Sequence, residues 1–146
     1  MTPFERAVAE FKAAVVGTPA VRRFDDADLE RVYAIAYRLF DQGRFGKAAS
    51  HFGFLTLYRP GSPRFLKGLG ASQFMARDME QAAATWALLV LLEPADAEAA
   101  YLFGRAMLMV GEGRYAEAAF RRAIELGGDG SALAERARAM LDLIAA

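Results

Sequence analysis

The stretch Ala82-Ala83-Ala84-Thr85-Trp86 decides how this chain is read, because its first and last residues recur at a fixed distance. Ala48 and Phe52 stand 34 residues upstream, and Ala116 and Phe120 stand 34 residues downstream. An alanine followed four residues later by a large ring puts a small and a bulky side chain on one face of a helix. Three such pairs at a spacing of 34 describe a two-helix unit that stacks on copies of itself.

Other columns keep the same period. Ala36, Gly70 and Gly104 each follow a large apolar residue, Ile35, Leu69 and Phe103. A small side chain lets two helices cross closely, and the Phe52/Trp86/Phe120 series fills the space beyond the crossing. Val32, Ile35, Ala36 and Leu39 are the expected packing residues of the first unit. Pro60, Pro94 and Gly128 stop the second helix of each unit, and Gly43, Arg77 and Gly111 occupy the turn between its helices. Arg77 makes a weaker turn than glycine, one that Asp78 can help to form. Gly113-Arg114-Tyr115 imitates the turn two residues out of register, and we keep the register set by Phe120. The period predicts an all-α fold, a tetratricopeptide repeat solenoid of three helix-turn-helix repeats with an N-terminal amphipathic helix and a C-terminal capping helix.

The expected organisation is a single domain over 1–146, with an N-terminal helix and connector in 1–24, three repeats in 25–128 and a capping helix in 129–146. In the first segment, Phe4, Val8, Phe11 and Val15 form an apolar stripe over residues 2–16 that needs a partner surface. Asp25, Asp26 and Asp28 supply carboxylates at the next helix start, which is expected over 29–42, followed by 45–58. Ser62-Pro63 opens a helix to about Ala76, and Met79 to Leu92 follows. Asp96 caps a helix ending near Gly111, and another starts around Arg114 and reaches Leu126. Ser131 caps the last, Ala132 to Ala145, whose Leu133, Ala137, Met140, Leu141 and Ile144 close the stack.

With 55% hydrophobic and 25% charged residues, the 146-residue chain has the means to fold rather than stay disordered. Eighteen acidic and eighteen basic side chains cancel, so no overall field draws nucleic acid or anionic lipid. No cysteine is present, which excludes disulfides and thiolate metal sites and fits a cytoplasmic address. The longest apolar stretch, Ala82 to Leu92, falls well short of the roughly 20 residues that span a bilayer. Direct membrane insertion is therefore not expected. Charges at Glu5, Arg6, Glu10 and Lys12 spoil a secretory signal.

No catalytic or metal centre emerges, and no cofactor is expected. His51 is the one histidine, read as an exposed imidazole, and Ser50 beside it points about 100° away on a helix, with no acid to orient the ring. Gly68-x-Gly70 is followed by Gln73 where a dinucleotide fingerprint wants glycine, so Gly70 is read as packing.

The first helix of each repeat lines the concave side of such a stack, and what its packing columns leave over faces the groove. In the first repeat these residues are Tyr33, Tyr37 and Phe40, one aromatic stripe at four- and three-residue steps. The second repeat presents Arg64, Lys67, Ala71 and Phe74 at the same offsets, and the third presents Glu98, Tyr101, Arg105 and Leu108. A helix apolar almost all round must bury its second face against a bound peptide, the N-terminal helix or a second copy of the chain. Tyrosines suit a peptide groove, since they join large contact area to a polar tip, and Lys67 and Arg105 can meet peptide carbonyls or carboxylates.

From Asp28 to Leu143 the chain resembles the class II chaperones of type III secretion, which escort translocator proteins. The resemblance rests on Leu29-Glu30-Arg31-Val32-Tyr33 leading into Gly43-Arg44-Phe45, on Arg64-Phe65-Leu66-Lys67-Gly68-Leu69-Gly70-Ala71, and on Gly111 with Ala116. It implies a cytoplasmic, non-enzymatic chaperone that holds an extended translocator segment in its groove and keeps it soluble for export. It implies that Tyr33, Tyr37 and Phe40 match groove aromatics of that family, and that a homodimer forms through Phe4, Val8, Phe11 and Val15. The alternative is a general repeat scaffold, or a chaperone for another secreted subunit.

Overall fold

The computed structural model describes residues 2–16 and 24–146, with side chains placed for 2–10 and 24–146. Eight α-helices and no strand occur among the described residues: α1 (Pro3–Val16), α2 (Asp26–Asp41), α3 (Phe45–Tyr58), α4 (Pro63–Met75), α5 (Met79–Leu92), α6 (Ala97–Met109), α7 (Gly113–Gly127) and α8 (Ala132–Ala145). The all-α expectation holds, with α3, α5 and α8 bounded where the sequence places them. The chain divides into two compact units, residues 1–72 and 73–146, each with its own core.

Helix α2 begins before Leu29 because Asp25 starts it with a reciprocal cap. The Asp25 carboxylate accepts from the Asp28 N–H at 2.8 Å, and the Asp28 carboxylate accepts from the Asp25 N–H at 3.1 Å. The Asp25 N–H holds the Asp28 carboxyl below its usual range, and Arg31 adds to the effect. Asp96 and Ser131 cap α6 and α8 through the N–H groups of Ala99 and Ala134.

The turns that join α2 to α3, α4 to α5 and α6 to α7 share one hydrogen-bond pattern. The N–H groups of Arg44, Asp78 and Glu112 reach back to the carbonyls of Leu39, Gln73 and Met107, and those of Gly43, Arg77 and Gly111 reach Phe40, Phe74 and Leu108. This is the Schellman closure, which needs a left-handed residue. Gly43, Arg77 and Gly111 supply it at φ of 74°, 68° and 88°. The register set by Phe120 is therefore the one adopted, and Gly113 is simply the first residue of α7. Arg77 is the one non-glycine residue with positive φ among the described residues. Asp78 does not help in the expected way, since its side chain makes no cap hydrogen bond and only its N–H joins the turn.

In the first unit, Leu29, Ala36, Leu39, Ala48, Phe52, Leu55, Tyr58 and Phe65 form the core. In the second, Ala100, Tyr101, Ala116, Phe120, Ala123 and Ala137 do so, with Leu133, Met140, Leu141 and Ile144 of α8 packed against them. Ala48, Ala82 and Ala116 are wholly buried, as are Phe52 and Phe120, with Trp86 nearly so. Glycine contributes at two of these crossings by what it lacks. A methyl group at Gly68 would sit 2.3 Å from the Phe52 ring, and one at Gly104 would sit 2.8 Å from the Phe120 ring. Gly68 is therefore a packing residue that the 34-residue column did not single out. Ile35 is the opposite correction. Expected in the core, it is 45% exposed, because the buried stripe of α2 runs through Leu29, Ala36 and Leu39 and leaves Ile35 to one side.

Candidate peptide-binding site

The ten residues singled out for peptide binding fall six in the first unit and four in the second. In the first unit, α2 carries Tyr33 and Tyr37 one turn apart, with ring centroids 4.8 Å apart in an edge-to-face arrangement. Both lean on Phe52, at 5.9 and 5.5 Å, and Tyr33 also meets Phe65 of α4 at 5.6 Å. Tyr33 is half-buried against the core, whereas Tyr37 keeps 42% of its surface exposed. The neighbouring Tyr33 side chain, with partial burial, pushes the Tyr37 phenol up to about 12. Phe40 turns to the Phe45 ring at 5.1 Å and packs at the edge of the core.

Arg64 completes this cluster from α4. Its guanidinium lies 4.1 Å above the Tyr33 ring centre and donates two parallel hydrogen bonds to Glu30 of α2, at 2.8 and 2.9 Å. The bond to Arg64 holds the Glu30 carboxyl below its ordinary value, and the arginine is correspondingly harder to deprotonate. Lys67 and Ala71 follow along α4, both half-buried. Glu30 is the residue that reading the sequence missed. The signal was present, since Glu30 and Arg64 are opposite charges one repeat apart and therefore in one column of the stack.

Glu30 also lines an open cleft of about 440 Å³ with Asp26, Leu29, Arg59, Gly61, Ser62 and Phe65. Asp26 and Arg59 pair across it at 2.7 Å. The cleft is thus lined by the apolar Leu29 and Phe65, by the Asp26–Arg59 pair and by Glu30, whose partner Arg64 lies outside it.

In the second unit, Arg105 of α6 lies 4.7 Å over the Phe74 ring and 5.9 Å from the Tyr101 ring, and Arg136 of α8 lies 5.3 Å over Tyr101. Tyr101 corrects the expectation that it shares an open face. Only 7% of it is exposed, because Phe120 packs on its ring at 5.7 Å within the core. Leu108 is partly buried beside that core.

Phe4 and Val8 of α1 are half-buried. The side chains of Phe11 and Val15 lie outside the described residues. His51 is half-buried rather than open, with Nδ1 2.7 Å from the Lys47 carbonyl. Among the described residues, no cluster of three or more His, Cys, Asp or Glu side chains could hold a metal ion. No helix among them is long and apolar enough to cross a membrane.

A tetratricopeptide repeat family model matches residues 29–60, which span α2 and α3. No curated protein sequence matches the chain. Solved structures do. PcrH from Pseudomonas aeruginosa is 26% identical over 84% of this chain and 96% of its own, with a TM-score of 0.77. The Yersinia enterocolitica chaperone SycD in complex with a peptide of the translocator YopD is 22% identical over 83% of this chain and 95% of its own, again at 0.77. A T3SS complex from Aeromonas hydrophila reaches 0.81 at 21% identity, covering 99% of this chain and 96% of that one. The fold is thus that of the tetratricopeptide repeat proteins. Over more than four fifths of its length the chain resembles the type III secretion translocator chaperones.

Proposed function

We propose that this protein is a cytoplasmic, non-enzymatic type III secretion chaperone that binds an extended segment of a translocator protein and keeps it soluble and competent for export. One observation carries the reading: the likeness to PcrH, which is also solved with the chaperone-binding region of PopD at the same 26% identity. The chemistry of the first unit supports it. Tyr37 offers an exposed ring and hydroxyl beside the half-buried Tyr33, on a wall made rigid by Phe52 and Phe65. Rigid aromatic surface with polar tips gives large contact area at low entropy cost. Phe40, Lys67 and Ala71 extend that surface, and Phe74, Arg105 and Leu108 are the candidates from the second unit, with Tyr101 beneath Arg105.

Co-expression with a translocator from the same secretion system should give a soluble complex. The double substitution Tyr33→Ala with Tyr37→Ala should weaken that complex by about tenfold or more, as loss of anchoring tyrosines does. Unchanged affinity would overturn the site. Homodimerisation through Phe4, Val8, Phe11 and Val15 belongs to the same proposal. Replacing Phe4 and Val8 by Glu should shift the sedimentation of the free chain to that of a monomer.

A further inference from the structure

The arginine of the first-unit site is neutralised where it stands. Both terminal nitrogens of Arg64 are bonded to Glu30 while the guanidinium plane covers Tyr33. The pair is more than half exposed, so it is open to whatever docks on Tyr33 and Tyr37. A bidentate pair uses two of the five N–H donors of arginine and leaves others for a neutral acceptor such as a peptide carbonyl. Beside it stand the rings and hydroxyls of Tyr33 and Tyr37 and a cleft whose other charges, Asp26 and Arg59, are also paired. Lys67 aside, the site therefore offers rings, hydroxyls and hydrogen-bond donors with no net charge. A carboxylate arriving here would lose water and meet Glu30 as well as Arg64, so attraction and repulsion offset one another.

We infer that Glu30 is a positioning and specificity residue of this site: by holding Arg64 over Tyr33 and neutralising it, Glu30 makes the site take an uncharged extended segment and reject an acidic one. The inference rests on the proposed chaperone function and adds the charge character of the segment bound there. The second unit makes the contrast plain. Arg105 and Arg136 stack on Phe74 and Tyr101, with no ion pair to either among the described residues.

The test uses the PopD chaperone-binding region as a labelled peptide, together with variants carrying one Asp at each successive position, titrated into the full chain and its Glu30→Gln and Arg64→Gln forms. Both altered residues are largely exposed, so circular dichroism should show unchanged helix content. In the unaltered chain, at least one Asp position should bind about tenfold more weakly than the parent peptide. At that position the penalty should vanish or reverse in Glu30→Gln, with an affinity that falls as salt is added, and should persist in Arg64→Gln. Glu30→Asp should restore most of the discrimination. The inference is overturned if Glu30→Gln scales all peptides by one factor, as a merely structural role would, or if no Asp position carries a penalty. If the unaltered chain binds no peptide of the set, the chaperone reading itself falls, a different outcome from binding without charge discrimination.

Discussion

The two units are built on the same columns yet present different surfaces. The first gathers Tyr33, Tyr37, Phe52 and Phe65 around an arginine already paired with Glu30. The second sinks the matching tyrosine, Tyr101, into its core beneath Phe120 and stacks Arg105 and Arg136 on its rings. A repeat fixes which positions are buried between its own helices. It leaves free the residues on the first helix of each pair, and there the first half sets a paired arginine among aromatic rings while the second stacks Arg105 on Phe74.

The comparison breaks most sharply at the helix crossings. Gly68→Ala should cost about 3 kcal/mol of stability and Gly104→Ala about 1–2 kcal/mol, because the first methyl overlaps Phe52 at 2.3 Å and the second meets Phe120 at 2.8 Å. Urea unfolding of each variant measures this, and equal costs would mean that Phe52 yields more easily than its surroundings suggest. A smaller effect of opposite sign is expected at the turns. Arg77 holds φ at 68° where the first unit has Gly43, so Arg77→Gly should stabilise the chain by about 0.5–1 kcal/mol. A loss of stability on the same measurement would show that the arginine side chain contributes more than its backbone strain removes.

The last effect, read by titration rather than by unfolding, concerns the two tyrosines. With the folded phenol of Tyr37 raised to about 12, the folded state holds its proton more tightly than the unfolded chain, whose phenol titrates near 10. The stabilisation is complete below pH 10 and is lost as pH rises from there to about 12. Absorbance at the tyrosinate band should show one late-titrating phenol, and Tyr33→Phe should bring it down toward 10. Persistence of the late phenol in Tyr33→Phe would assign the shift to burial instead.

Much of this was readable from spacing. The Ala48/Ala82/Ala116 and Phe52/Trp86/Phe120 columns gave the pairing of helices, because a two-helix unit can bury only the residues that recur in phase. The turn at Gly111 was readable for the same reason, against the lure of Gly113. Ile35 was misread because an apolar residue beside Ala36 has the right period but sits about one helical step, roughly 100°, off the buried stripe. Tyr101 was misread because a column tells only that two positions are equivalent, not that both are uncovered. Glu30 was missed because a carboxylate on an exposed helix face carries no local signal until its partner is known.

The sequence by itself determined the repeat, its helices and turns, and the resemblance that names its class, since all of these follow from residues related at short or periodic distances along the chain. Only the tertiary structure decided that Gly68 makes room for Phe52, that Tyr101 is core, and that Arg64 spends its charge on Glu30. Those are contacts between side chains on different helices: the spacing sets Glu30 and Arg64 in one column, but which atoms meet depends on how the helices pack.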